Sequence, residues 1–202
     1  MKTILALLSA LWIAPSAVNA SDRISASTMS NLQAAFNGES NAHARYGAFA
    51  KQADAEGYAG VASLFRAAAR AEEIHAGNHA AAIKEFGGVP EAKLEDPVVK
   101  STRENLEAAI KGETYERDEM YPAFIQQAKA EDNAQALRTL TFARAAEAEH
   151  AKLYTQALQD LEGMQASRVF YVCPVCGFTT PNPDIERCPT TGTPKERFEQ
   201  LS

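Results

Sequence analysis

Positive charge, long apolar runs and cysteine are all scarce in this chain of 202 residues. Lys and Arg number 20 against 26 Asp and Glu, a formal net charge of −6. Binding to nucleic acid needs a basic face, so this balance argues against it. No apolar run reaches the ~20 residues of a membrane span. There are only three cysteines, Cys173, Cys176 and Cys188, all near the C-terminus. An odd count in an exported chain cannot all pair within one molecule. Hydrophobic residues, at 46%, are plentiful enough for a packed core, and the length leaves room for one medium domain and a small appendage.

The first twenty residues read as a leader. Met1-Lys2 gives a positive start, Thr3 to Ala14 is an apolar run broken by Ser9, and Val18-Asn19-Ala20 is a small-x-small cleavage pattern. The expectation is a secretory signal over 1–20, cut after Ala20, and a periplasmic protein with no membrane insertion after cleavage. With no twin-arginine pair, export of the unfolded chain is expected, and any metal is then loaded outside the cytosol.

The rest of the chain repeats itself. Asn31-Leu32-Gln33-Ala34-Ala35-Phe36-Asn37-Gly38-Glu39 returns as Asn105-Leu106-Glu107-Ala108-Ala109-Ile110-Lys111-Gly112-Glu113, an offset of 74. Tyr46, Phe49 and Gln52 return as Tyr121, Phe124 and Gln127, and Ala71-Glu72-x-x-His75 returns as Ala146-Glu147-x-x-His150, now at an offset of 75. The second half has therefore gained one residue between Glu113 and Tyr121. Each half reads as a helical hairpin, with apolar residues three and four apart: Leu32, Ala35, Phe36, Ala42, Tyr46 and Phe49 on one stripe, and Leu64, Ala67, Ala68, Ala71, Ile74 and His75 on another. Gly57 and Gly60 are expected to break the first hairpin and Glu131-Asp132-Asn133 the second, with Ser101 or Thr102 capping the third helix. Between the halves, Phe86-Gly87-Gly88-Val89-Pro90, continuing to Pro97, is a loop able to run the length of a bundle. The second and third helices can then be parallel.

Glu39 lies 17 residues before Glu56 at the first turn, and Glu72 lies 16 after it. At about 1.5 Å per residue both sit at the same depth. Glu113 and Glu147 stand almost the same way about Asp132, so four carboxylates converge near mid-bundle. In an apolar core they would repel one another unless cations balanced them. His75 and His150 follow Glu72 and Glu147 by three residues, on the same helix faces. One Glu from each of two helices and Glu-x-x-His from the other two form a ligand set for a carboxylate-bridged metal pair, suited to iron or manganese. A single Glu-x-x-His is usually a solvated face; two, each with a Gly-Glu at matched depth, are not explained that way. Glu73 and Glu149 are read as surface charges, His43 as no ligand, and His79 as a neighbour of the site. Tyr46 and Tyr121 are either core residues or phenols bonded to ligand carboxylates.

Phe36-x-Gly38-Glu39-Ser40, Glu72-x-x-His75, Gly112-Glu113-x-x-Glu116-x-x-Glu119-Met120-Tyr121-Pro122 and Glu147-x-x-His150 together resemble the rubrerythrin family over nearly the whole chain after residue 20. Ala42 stands where Glu116 would fall in the first half, and Glu116 lies in the stretch holding the inserted residue. An insertion within a helix is most simply absorbed as a π-bulge. The resemblance implies an all-α fold, a ferritin-like four-helix bundle with a long crossover over 21–163. It implies two non-haem irons bound by Glu39, Glu72, His75, Glu113, Glu116, Glu147 and His150. It also implies that one iron moves between His75 when reduced and Glu116 when oxidised, that hydrogen peroxide is reduced to water, and that the protein is a homodimer.

After Gly163 the helical pattern stops. Phe170-Tyr171-Val172-Cys173-Pro174-Val175-Cys176-Gly177-Phe178 and Arg187-Cys188-Pro189-Thr190-Thr191-Gly192 resemble the two knuckles of a rubredoxin domain over 164–202. In that family four thiolates hold one iron; here Thr191 takes the fourth place. Three readings stand open: a three-cysteine site completed by water or Thr191, a zinc-type structural knuckle, or a metal-free tail with a disulfide. With this site weakened or lost, electrons would come from an external donor that the sequence does not name. Two function classes follow, a diiron peroxide reductase and an iron-handling protein that oxidises Fe(II) as ferritins do. Manganese-dependent peroxide disproportionation is a third.

Overall fold

The structure, a computed structural model, describes residues 24–202; the expected leader lies outside them. Helix α1 spans Ala26–Ala55, α2 Ala59–Glu85, α3 Thr102–Tyr115, α4 Tyr121–Ala130 and α5 Ala134–Gln159. A π-helical turn, Glu116–Met120, joins α3 to α4, so these form one long third helix of a four-helix bundle. The extra residue of the second repeat is absorbed there. This is the expected all-α bundle with a small C-terminal tail.

Local chemistry sets the helix ends. The Ser25 hydroxyl accepts from the Thr28 amide at 3.0 Å at the start of α1. Ser101 and Glu104 form a reciprocal capping box on α3. Ser101 is thus the cap, and Thr102 is the first helical residue. Asn133 caps α5 after Asp132, which sits at φ 53°. Gly57, at φ 83°, turns the first hairpin. Gly60, expected as a second breaker, is instead inside α2. A Cβ there would lie 2.6 Å from the Ala166 carbonyl oxygen, so it is kept small by close approach of the chain leading to the tail.

The crossover, 86–101, has no regular secondary structure. It is laid along α1 by three side chains that the apolar pattern does not reveal. Gln33 Oε1 accepts from the Glu91 amide, Asn37 Oδ1 from Lys93 and Asn41 Oδ1 from Glu95, at 3.2, 2.8 and 2.9 Å. Four helical residues rise about 6 Å and two extended residues about 6.6 Å, so the two spacings match. The crossover returns the chain to the far end of α1, where the Thr102 amide donates to Glu56 at 2.8 Å. Helices α2 and α3 therefore run parallel.

Two apolar clusters fill the bundle. One holds Tyr46, Phe49, Leu64, Phe65, Leu106 and Tyr154. The other holds Leu32, Ile83, Tyr121, Ala136 and Leu140. Glu39, Glu113 and Glu147 fall where their helices pass from one cluster to the other, and Glu72 lies at the edge of the first cluster, between Ala71 and Ile74. The tail is a three-stranded antiparallel sheet of β1 (Phe170–Val172), β2 (Thr179–Thr180) and β3 (Glu199–Leu201), in the order β2-β1-β3. Phe170 and Val172 join the first core cluster. At the rim the Arg70 fork donates to both Glu199 oxygens, at 2.7 and 2.8 Å, and Asn78 donates to the Val175 carbonyl at 2.9 Å. No helix among the described residues is long and apolar enough to cross a membrane.

Candidate metal centre

Helix α1 delivers Glu39, α2 Glu72 and His75, α3 Glu113, and α5 Glu147 and His150; all six are buried. Their ligand atoms fall into two groups, each within 4.8 Å: Glu39, Glu72, His75 and Glu147, and Glu72, Glu113, Glu147 and His150. Glu72 and Glu147 belong to both. The distances show the repeat's near-symmetry. His75 Nδ1 lies 2.8 Å from Glu72, 3.0 Å from Glu147 and 3.7 Å from Glu39. His150 Nδ1 lies 3.0 Å from Glu147, 3.4 Å from Glu72 and 3.7 Å from Glu113. One oxygen on each of Glu39, Glu72, Glu113 and Glu147 is buried with no hydrogen-bond donor. Orphaned carboxylate oxygens cost free energy in an apolar core. Facing two imidazoles, they make a donor set that fits two hard cations sharing Glu72 and Glu147.

The electrostatics carry the same demand. Burial, then the charges of Glu147 and Glu72, push Glu113 up to about 8 and hold Glu39 well above the carboxylate range. Burial also pushes Glu147 upward, but His75 and His150 outweigh it and hold this carboxyl well below its ordinary value. For the two histidines burial opposes the charge, yet the surrounding carboxylates raise both. Without cations, protons do the balancing.

Glu116 stands outside both groups. It is the first residue of the π turn and is half-buried. Burial and the charges of Glu113, Glu147 and Glu72 raise its pKa, against a lowering by Arg45. Both tyrosines touch the site: Tyr46 donates to Glu113 at 2.5 Å, and Tyr121 donates to Glu39. His79 is one step further out, with Nε2 3.1 Å from the Tyr121 hydroxyl and Nδ1 3.0 Å from Thr139 Oγ1. Burial, then His75, lowers its pKa to about 3, so it is a neutral link in a Thr139–His79–Tyr121–Glu39 chain. His43 is exposed and bonds the Ala69 carbonyl; Glu73 pairs with Arg70 and Glu149 with Lys152 at the surface.

The sequence reading missed what the tail does here. His75 Nε2 lies 3.0 Å from the Cys176 carbonyl oxygen, and His150 Nε2 lies 3.1 Å from Thr179 Oγ1, which itself donates to Gly177 O. Each outer nitrogen is therefore a donor, which turns each Nδ1 toward the carboxylates, where it can carry a proton in the metal-free fold or offer its lone pair to a cation. A Cβ on Gly177, at φ 73°, would collide with the His75 ring. Tyr154 was also missed, although it lies four residues after His150 on the same face. Its hydroxyl is buried without a partner, and its ring meets Tyr46 at 5.5 Å. In the tail, Cys173, Cys176 and Cys188 are buried with their sulfurs within 4.8 Å, a cluster able to hold a further metal. Hydrogen bonding from Cys176, with help from Thr191 and backbone amides, lowers Cys173 to about 4.

A family model for rubrerythrin matches residues 30–158. The chain is similar to nigerythrin of Nitratidesulfovibrio vulgaris, 41% identical over 173 residues that cover 85% of each chain. It is 37% identical to rubrerythrin-2 of Clostridium acetobutylicum over 178 residues, 86% of this chain and 96% of that one. A structure of nigerythrin in its fully reduced, all-ferrous state superposes with a TM-score of 0.81 at 35% identity, over 96% of this chain and 100% of the other. A Mycobacterium tuberculosis bacterioferritin matches with a TM-score of 0.64 at 20% identity, a likeness of fold.

Proposed function

This chain belongs to the rubrerythrin family, and on that premise we propose that its diiron centre reduces hydrogen peroxide to water in oxidative-stress defence. The observation that carries the reading is Glu116 on its π turn, beside two four-residue groups that are complete without it. In this reading Glu72 and Glu147 would be shared by the two irons, Glu39 and His75 would hold one, and Glu113 and His150 would hold the other. Glu116 is an alternative donor to His75 at the first.

When bound, the iron pair supplies two electrons, one from each metal, to the O–O bond. Two protons complete the conversion of one peroxide to two waters. Tyr46 and Tyr121 hold Glu113 and Glu39 in place through their hydroxyl hydrogens, and Thr139 and His79 hold Tyr121. Cys176 and Thr179 orient the two imidazoles. The apolar clusters on either side keep bulk water from the carboxylates. With three thiols in the tail, an external donor reloads the site. We place the protein in the periplasm on its leader pattern, and as a homodimer on family likeness.

The alternative is Fe(II) oxidation and iron handling, favoured by the missing fourth thiolate. Anaerobic Fe(II)-loaded protein should react faster with H2O2 than with O2. Glu116→Ala should slow the peroxide reaction more than the O2 reaction. Equal slowing, or O2 as the faster oxidant, gives the site to the iron-handling reading.

A further inference from the structure

The tail departs from a four-thiolate site at one corner. Its two knuckles are built alike. Gly177 N donates to Cys173 O and Gly192 N to Cys188 O, both at 2.9 Å, with the glycines at φ 73° and 70°. Cys173 N donates to Phe178 O at 2.9 Å and Cys188 N to Thr193 O at 2.8 Å. Thr191 therefore occupies the position that Cys176 holds in the first knuckle, and the second loop keeps its shape without the thiolate. A four-thiolate iron does not fit this donor set, which is three sulfurs and an alcohol oxygen.

We propose that Cys173, Cys176 and Cys188 hold one divalent metal ion whose fourth corner, at Thr191, exchanges with external ligands and takes a small thiolate in preference to the alcohol.

Spacing supports a metal over a disulfide. Cys176 and Cys188 sulfurs are 3.4 Å apart, and Cys173 Sγ is 3.6 Å from Thr191 Oγ1. Metal–sulfur bonds of about 2.3 Å in a tetrahedron give edges of about 3.8 Å; a disulfide needs about 2.05 Å. Position supports exchange. The three cysteines are buried, whereas Thr191 is half-buried between half-buried Thr190 and exposed Gly192, so the altered corner belongs to the most accessible of the four residues. Chemistry supports the choice of ligand. A neutral alcohol is a weak, hard donor beside three soft thiolates. Three thiolates on a divalent ion leave a site charge of −1, which an incoming thiolate makes −2. The displaced hydroxyl has a partner at hand, since Thr191 Oγ1 already lies 2.7 Å from Thr193 Oγ1.

The test uses the full chain, freed of metal, reduced with a phosphine and titrated with Co²⁺ without air. The carboxylate centre contains no sulfur, so near-ultraviolet sulfur-to-cobalt charge transfer reports the tail alone. One equivalent should generate that band, and Cys188→Ser should weaken it. Adding 2-mercaptoethanol should raise its intensity by roughly a third, as the thiolate count goes from three to four. Thr191→Cys should start at the higher intensity and ignore the added thiol. Absence of the band from the wild-type chain overturns the metal site, as does isolation with Cys176 and Cys188 joined as a disulfide. A band indifferent to 2-mercaptoethanol overturns the exchangeable corner. These wild-type measurements do not depend on a variant folding.

Discussion

Removing metal from the buried cluster should leave a protein that loses stability as pH rises from 5 to 8, opposite to the loaded form. In the metal-free fold the Glu113 carboxyl is pushed up to about 8 from an ordinary 4.5, chiefly by burial. Between those values the unfolded chain has released a proton that the folded chain still holds, so each step up in pH favours unfolding. Three and a half pH units at about 1.4 kcal/mol each set a ceiling of roughly 5 kcal/mol for this one group. Glu39 and Glu116, also raised, act in the same direction. His75 and His150 are raised too. Their contribution is full below the ordinary histidine value and is lost as pH climbs through the folded one. Glu147 is depressed, so its contribution is lost only on acidification and lies outside this window. Against a typical total of about 5–15 kcal/mol, the metal-free protein should be marginal at pH 8. Bound cations replace the protons, and affinity for them grows with pH because the ligands must be ionised. Urea unfolding at pH 5, 6.5 and 8, with chelator-treated and metal-loaded protein, measures both slopes. Glu113→Gln mimics the protonated acid and should flatten the metal-free slope. Metal-free stability that stays level or rises from pH 5 to 8 would refute the reasoning.

Glu72→Ala or Glu147→Ala removes a residue shared by both groups and should cost at least one of the two metals of the carboxylate centre; elemental analysis finding the full wild-type metal count in both variants would sink the shared-ligand assignment. Gly60→Ala would place a Cβ 2.6 Å from the Ala166 carbonyl oxygen and 2.8 Å from that of Met164. Because both are backbone atoms, a loss of roughly 1–3 kcal/mol is expected, read as a lower urea midpoint, and an unchanged midpoint would mean the tail's approach is loose. Mass spectrometry of the native protein should find an N-terminus at Ser21, and an intact Met1 in the mature protein would remove the export reading.

The internal repeat made the bundle legible. Helical residues three and four apart share a face whatever the helix later packs against, and rise per residue converts a sequence interval into a depth. Those two rules placed Glu39, Glu72, Glu113 and Glu147 at one level, with His75 and His150 beside Glu72 and Glu147. The change of offset from 74 to 75 located the π turn, because a helix must absorb an inserted residue somewhere between its fixed faces. The same rules misread Gly60. A glycine looks alike in sequence whether it ends a helix or admits a neighbouring backbone, and here the neighbour lies about a hundred residues away.

What the amino-acid sequence determined by itself was local: helix faces, their order, the depth of the acidic residues, a cap at Ser101 or Thr102, a break at Glu131-Asp132-Asn133, and the loss of one thiolate at Thr191. Which carboxylates are shared was decided only when four helices came together, since Glu72 and Glu147 differ from Glu39 and Glu113 by where the opposite helices bring their histidines. Gln33, Asn37 and Asn41 became a ladder only once an extended strand of matching spacing lay against them. The partnership of His75 with the Cys176 carbonyl, and of His150 with Thr179, spans 101 and 29 residues. Side-chain periodicity carries no information about contacts of that range. They arise from the burial of Phe170 and Val172 in the bundle core, which seats the tail over the site and turns two imidazoles inward.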